Sequence, residues 1–210
     1  LMPPIRDITL LSILFVLLPV CVFRPYVGIL LWSWIGYMNP HRLTWGFAYN
    51  FPFAQVVAIL TLVGFGGLIL RERKLPKLPS TLETILLLML WCMFTVTTFT
   101  ALRVDLAWPR LLDISKILLM TFLTIILVDD EKKLKYLLIV IALSVGFYGL
   151  KGGVFVIMTG GKSRVFGPGG FIEDNNALGL ALNMVLPLLY YFGRAESRYW
   201  LKALWLLTFF

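Results

Sequence analysis

The sequence predicts an all-α, polytopic membrane protein with about seven to eight membrane segments, and three observations carry that prediction. Hydrophobic residues make up 60% of the chain and charged residues 14%, and the mean hydropathy is +0.88, a composition that a soluble domain does not have. The apolar residues fall into runs at about 8–23, 26–38, 54–70, 81–100, 109–128, 135–150, 176–193 and 199–210. A helix needs ~20 such residues to cross a bilayer. Most charged residues and many of the glycines lie in the short breaks between the runs.

The first two runs are short and separated only by Arg24-Pro25, so two helices and a bent hairpin both fit. The first has the length of a signal-peptide core, but Val20-Cys-Val-Phe-Arg-Pro offers no small-residue cleavage site, and it reads as an anchor. The five middle runs read as full spans. The last stops inside apolar sequence at Phe210, and the chain begins at Leu1 ahead of a Met. Residues 1–210 therefore read as a single helical membrane domain, the N-terminal portion of a larger bundle. Connections are short, with no low-complexity linker, heptad pattern or internal repeat.

Loop charge sets the expected orientation. Arg71-Glu-Arg-Lys with Lys77, then Lys132, Lys133 and Lys135, then Arg194, Arg198 and Lys202 occupy alternate breaks, which places those breaks in the cytoplasm. The residues 39–55, 101–108 and a glycine-rich loop at 151–176 then face outward. Counting back puts the N-terminus outside if both early runs cross, and Arg6 opposes that.

The net charge of +8 would suggest nucleic acid in a soluble chain. Here the basic residues sit at membrane ends, so no nucleic-acid partner is expected. Cys21 and Cys92 lie within apolar runs and read as small core residues. The one histidine, His41, cannot build a metal cluster, and no His-x-x-x-His, Cys-x-x-Cys, Walker or nucleophile-elbow pattern occurs. No metal and no cofactor are expected, and no general base can be assigned.

Binding chemistry concentrates in Lys162-Ser-Arg-Val-Phe-Gly-Pro-Gly-Gly-Phe-Ile-Glu-Asp-Asn-Asn-Ala-Leu-Gly179, a polar, glycine-rich stretch between two apolar runs. Pro168, Gly169 and Gly170 exclude a continuous helix and let backbone approach a ligand, and Asn175 or Asn176 can cap a helix that opens at Ala177. Arg164 beside that helix start has the makeup of an anion site, because a guanidinium offers phosphate two donors where lysine offers a point charge. Lys162 and Lys151 are weaker candidates, since a lysine at the end of a span also snorkels to headgroups. Glu173 and Asp174 can orient arginines, bind an acceptor, or simply cap the following helix. Arg110, Asp113 and Lys116, spaced by three, share one helix face after Pro109, expected to turn inward with Asp113 and Lys116 as a buried pair. A structural ion pair and an anion site both fit that face.

Arg164-Val-Phe-Gly-Pro-Gly-Gly-Phe-Ile-Glu-Asp-Asn-Asn-Ala-Leu resembles the signature of the O-antigen ligase and polymerase superfamily. Arg24-Pro-Tyr-Val-Gly-Ile-Leu-Leu-Trp-Ser-Trp, Met38-Asn-Pro-His-Arg-Leu-Thr-Trp-Gly-Phe-Ala-Tyr and Gly146-Phe-Tyr-Gly-Leu-Lys-Gly-Gly resemble its exosortase-associated O-glycosylation ligase branch. The resemblance implies a bacterial inner-membrane enzyme that moves a glycan from an undecaprenyl-diphosphate carrier to a protein, lipid or polysaccharide acceptor at the periplasmic face. It also implies that outward arginines, Arg164 among them, hold the diphosphate. The large late loop and its histidine, which the resemblance assigns to acceptor activation, have no counterpart in these residues. A non-catalytic subunit of a larger membrane assembly and a transporter or flippase of lipid-linked sugars are the competing expectations. The loop charges make a direct prediction: a membrane-impermeant thiol reagent added to intact cells labels Arg164→Cys and not Lys132→Cys, and the reverse pattern would invert the orientation.

Overall fold

The computed structural model describes residues 5–73, 78–170 and 172–209, and shows eight α-helices with no strand among them. Lys74 and Lys77 of the basic break, Phe171 of the glycine-rich stretch and the terminal Phe210 lie outside the described residues. In order the helices are α1 (Ile5–Phe23), α2 (Pro25–Met38), α3 (Phe53–Glu72), α4 (Leu82–Phe99), α5 (Val104–Leu127), α6 (Glu131–Thr159), α7 (Asn175–Ala195) and α8 (Tyr199–Phe209). Two single 3-10 turns, Pro40–Leu43 and Phe47–Asn50, shape the connection from α2 to α3.

Five helices are long and apolar enough to cross a membrane: α1, α3, α4, α6 and α7. This is fewer than the seven to eight segments expected, and the reasons are local. α2 has 14 residues and α8 has 11, short of the ~20 that span a bilayer. α5 has 24 residues but carries Asp105, Arg110, Asp113 and Lys116 along its first half. α1 gains Ile5, Arg6 and Asp7 ahead of its apolar run and reaches 19 residues.

Arg24-Pro25 separates two helices rather than bending one. Proline lacks an N–H and fits the first helical position, and Pro25 occupies it in α2. The chain then alternates between two ends. Arg6 Nη1 donates to the Leu43 carbonyl at 3.1 Å, and Asp7 Oδ1 accepts from the Ala48 N–H at 3.0 Å, so the N-terminus sits with the 39–52 connection. The Asn39 side-chain amide donates to the Gly169 carbonyl at 3.1 Å, bringing residues 160–174 to that same end. We call it the glycine-rich end. At the opposite, lysine-rich end, Tyr26 Oη donates to the Lys133 carbonyl at 2.8 Å. Arg6 is thus accommodated beside the α2–α3 connection, where its guanidinium also stacks 4.7 Å from the Trp45 ring centroid.

Three small cores hold the bundle. One joins α1, α2 and α3 through residues such as Leu14, Cys21, Ile35 and Val57. A second ties Ile29 of α2 to Met120, Leu123 and Leu127 of α5 and Leu137 of α6. The third packs Val145 of α6 on Val185 and Leu189 of α7 and Trp205 of α8. In lipid the apolar effect between helices is absent, so close backbone approach counts for more. Gly64 supplies one such approach: a Cβ there would lie 2.6 Å from the Val22 carbonyl oxygen and 2.7 Å from that of Cys21. Gly66, two residues on, has nothing within 4 Å. Gly64→Ala is expected to destabilise the protein by about 1–3 kcal/mol through overpacking. Gly66→Ala, a helix-favouring change into open space, leaves stability unchanged or raises it by up to about 1 kcal/mol. Thermal unfolding in detergent measures both, and equal effects would remove the α1–α3 backbone contact from the account.

Candidate functional site at the glycine-rich end

The connection from α6 to α7 is built by backbone constraints that the sequence states in part. α6 does not stop at Lys151; it runs on through Gly152-Gly153 to Thr159, so the loop begins at Gly160 and not at 151. Glycine inside a helix costs about 1 kcal/mol relative to alanine, which an otherwise intact hydrogen-bond ladder absorbs. The stop comes at Gly160 and Gly161, with φ of 61° and 75°, values that β-branched or bulky residues avoid. Lys151 therefore lies on a helix face, with its ammonium 5.9 Å from the Tyr148 ring centroid.

Residues 167–173 form a tight reversal. The Gly167 N–H donates to the Glu173 carbonyl at 3.0 Å, and Gly169 pairs with Ile172. A Cβ on Gly167 would lie 1.6 Å from the Ile172 carbonyl oxygen, so only glycine fits. Gly169 and Gly170 have φ of 98° and 66°. Neither Asn175 nor Asn176 caps the next helix. Asp174 does, accepting from the Ala177 N–H at 2.7 Å, and α7 opens at Asn175 rather than at Ala177. The carboxylate wins because it adds charge complementarity with the helix N-terminus to the hydrogen bond.

The reversal is tied to the rest of the bundle at the end of α2. Asn39 adopts a left-handed conformation, φ 47° and ψ 53°, ends α2, and donates through its side chain to Gly169. Tyr148, buried in α6, donates its hydroxyl to the Met38 carbonyl at 2.7 Å. Adjacent residues at the close of α2 thus hold α6 and the α6–α7 loop. The Met38, Gly146 and Arg164 motifs, far apart in sequence, converge here.

Beneath the loop, α6 and α7 enclose a pocket of about 330 Å³. Its walls include Tyr148, Val165, Leu178 and Leu182, with Arg164 and Asn175 as polar groups. Gly153 and Gly179 also line it, and nothing lies within 4 Å of a Cβ placed on either, so the space is open because those side chains are missing. Arg164 is exposed and makes no hydrogen bond or ion pair among the described residues. The pocket therefore pairs an uncommitted guanidinium with an apolar, glycine-floored cleft. Lys162, Glu173 and Asn176 are exposed on the loop and at the start of α7 and do not line the pocket.

The structure does not bring the other candidate cations to this pocket. Lys116 donates to Asp113 at 3.1 Å, and the pair lines a separate groove with α2 and α3. The pair forms, as its spacing predicts, but its side chains are 59% and 55% exposed rather than buried. The reason is that this face of α5 turns towards a gap beside α3. Arg110 is exposed on α5 and lines neither cavity.

Sequence reasoning missed Asp7, which is fully buried and, through Ala48, pins the second 3-10 turn to α1. A lone carboxylate at the head of an apolar helix reads as interfacial, and only the close approach of Gly46 shows its packing. His41 lies outside the pocket, with its ring 5.8 Å from Phe53 and a buried Nδ1 that has no partner among the described residues. Burial, with the charge of Arg42 adding to it, holds the imidazole below its ordinary value of 6.5. The fold thus favours the neutral ring. The stabilisation this gives is complete above pH 6.5 and is lost as pH falls through the lowered value. Protection of the amides across 39–50, corrected for the intrinsic exchange rate at each pH, is expected to fall between pH 7.5 and pH 5 and to lose that dependence in His41→Gln; an unchanged profile in the variant would assign the effect elsewhere.

No curated protein and no solved structure matches the chain. A family model does match, over residues 5–194, nearly the whole of the described bundle. The chain belongs to the family of unknown function DUF5935.

Proposed function

We propose that the chain binds the diphosphate of an undecaprenyl-linked glycan at the glycine-rich end and serves glycan transfer to an acceptor at the periplasmic face of a bacterial inner membrane. The observation that carries this reading is the pocket between α6 and α7, where a guanidinium without an ion-pair partner among the described residues stands over an apolar cleft floored by glycines. A lipid diphosphate needs both features: forked donors for its phosphate oxygens and an apolar channel for the first prenyl units. The resemblance of the Arg164 and Gly146 segments to O-antigen ligases supports the same reading. On it, α2, α5 and α8 also lie in the bilayer beside the five longer helices, and the lysine-rich end faces the cytoplasm.

The chemistry asks mainly for positioning and charge. The acceptor hydroxyl oxygen attacks the anomeric carbon, the carbon–oxygen bond to the diphosphate breaks, and its electron pair stays on the diphosphate. Arg164 would stabilise that developing charge. The hydroxyl proton passes to water at the membrane surface, since the pocket's lining residues include no carboxylate or imidazole.

The test is binding of undecaprenyl diphosphate to the purified protein in detergent, with undecaprenol as the control lacking phosphates. Arg164→Lys keeps the charge and loses the fork, and is expected to weaken diphosphate binding by about tenfold, the worth of one charge-assisted hydrogen bond. Gly179→Leu fills the open floor and is expected to weaken both ligands. Wild-type diphosphate binding in Arg164→Lys would leave Arg164 as an interfacial anchor. No binding by the wild-type protein would favour a non-catalytic subunit.

A further inference from the structure

The groove beside α5 has a different character from the pocket under the loop. It holds about 470 Å³ between α3 and α5, with Trp32 of α2 among its walls. Ala58 and Leu62 of α3 and Met120 of α5 make it apolar, and its polar members are Gln55, Asp113 and Lys116. Trp108 is set edge-on against Phe99 at 5.7 Å on the α4–α5 hairpin, and on the bilayer placement of α5 proposed above it stands at the membrane interface of this end. Asp113 lies roughly 8 Å and Lys116 roughly 12 Å further along the helix at 1.5 Å per residue. On that placement the pair is set just below the interface; in the chain it is more than half exposed and faces a cleft. Charged side chains in that position call for a polar counterpart.

We infer that this groove is a phospholipid site selective for a zwitterionic headgroup bearing a primary ammonium, with one acyl chain lying along α3 and α5. Charge complementarity selects the occupant. Lys116 gives one of its three ammonium protons to Asp113, which leaves two donors for a phosphate. The Asp113 carboxylate keeps acceptor capacity for an ammonium N–H. A headgroup with linked phosphate and ammonium meets both halves of the pair head to tail. A choline headgroup cannot donate the hydrogen bond because its nitrogen is fully methylated. A glycerol headgroup carries the phosphate without the cation. The pair is therefore occupied by lipid recognition rather than by the diphosphate proposed for the Arg164 pocket.

Native mass spectrometry of the protein released from micelles tests this with dioleoyl phosphatidylethanolamine, phosphatidylcholine and phosphatidylglycerol at equal concentration. The ethanolamine lipid is expected to be retained about tenfold over each of the others, the worth of one charge-assisted hydrogen bond. That preference should vanish in Asp113→Leu/Lys116→Leu, which removes the pair without leaving a lone charge. It should also vanish in Ile59→Trp, which fills the groove and keeps the pair. Equal retention of all three lipids, a preference for the glycerol lipid, or a preference that survives in both variants would overturn the proposal. A protein that emerges as a dimer without lipid would overturn it too, since a second copy would then cover the groove.

Discussion

Two hydrogen bonds at the close of α2 organise the glycine-rich end: the Tyr148 hydroxyl to the Met38 carbonyl at 2.7 Å and the Asn39 amide to the Gly169 carbonyl at 3.1 Å. In lipid, helices gain little from burying apolar surface against one another, and interhelical polar contacts carry a larger share of specificity. These two bonds join α2, α6 and the α6–α7 loop at neighbouring residues, so the position of one helix terminus sets the others. Gly167 makes the arrangement stringent, because its backbone passes too close to Ile172 for any side chain. The pocket under Arg164 depends on that constraint, through Tyr148 in its wall, and on the missing side chains of Gly153 and Gly179.

The cations of the chain divide by what they already touch. Arg103 is engaged with Asp105 and Lys133 with Asp129, and both are structural ends of helices. Lys116 is engaged with Asp113 but on a face that a ligand can still reach. Arg164 is engaged with nothing among the described residues. An uncommitted guanidinium beside a cleft and a paired ammonium in a groove suit different ligands, which is why the two cavities are read as separate sites.

Helix positions were legible in the sequence because each apolar run is bounded by strong stops. The run at 54–70 became Phe53–Glu72 and that at 176–193 became Asn175–Ala195. Where the reading failed, a stronger local term won. Gly152-Gly153 looked like a helix end, yet the stop lies at Gly160-Gly161, where φ is positive and the ladder cannot continue. The asparagines looked like the cap, yet Asp174 stands one residue earlier with a charge suited to the helix start. The spacing of Asp113 and Lys116 gave their pairing correctly and their burial wrongly, because spacing fixes neighbours on one helix and says nothing about what faces that helix. Of the candidate site, Arg164 and the glycine-rich loop could be read directly, whereas Asn175 looked like a cap and instead lines the pocket. The contributions of Tyr148 and Asn39 could not, since their bonds span 110 and 130 residues of sequence.

The proposed diphosphate site is the α6–α7 pocket and not the α3–α5 groove. Hydrogen–deuterium exchange with and without saturating undecaprenyl diphosphate tests it directly, since both cavities report on the same sample. Exchange is expected to slow at 148–156 and 164–182 with no change at 54–62 or 113–120. Protection confined to the α3–α5 segments, or spread equally over both, would contradict it.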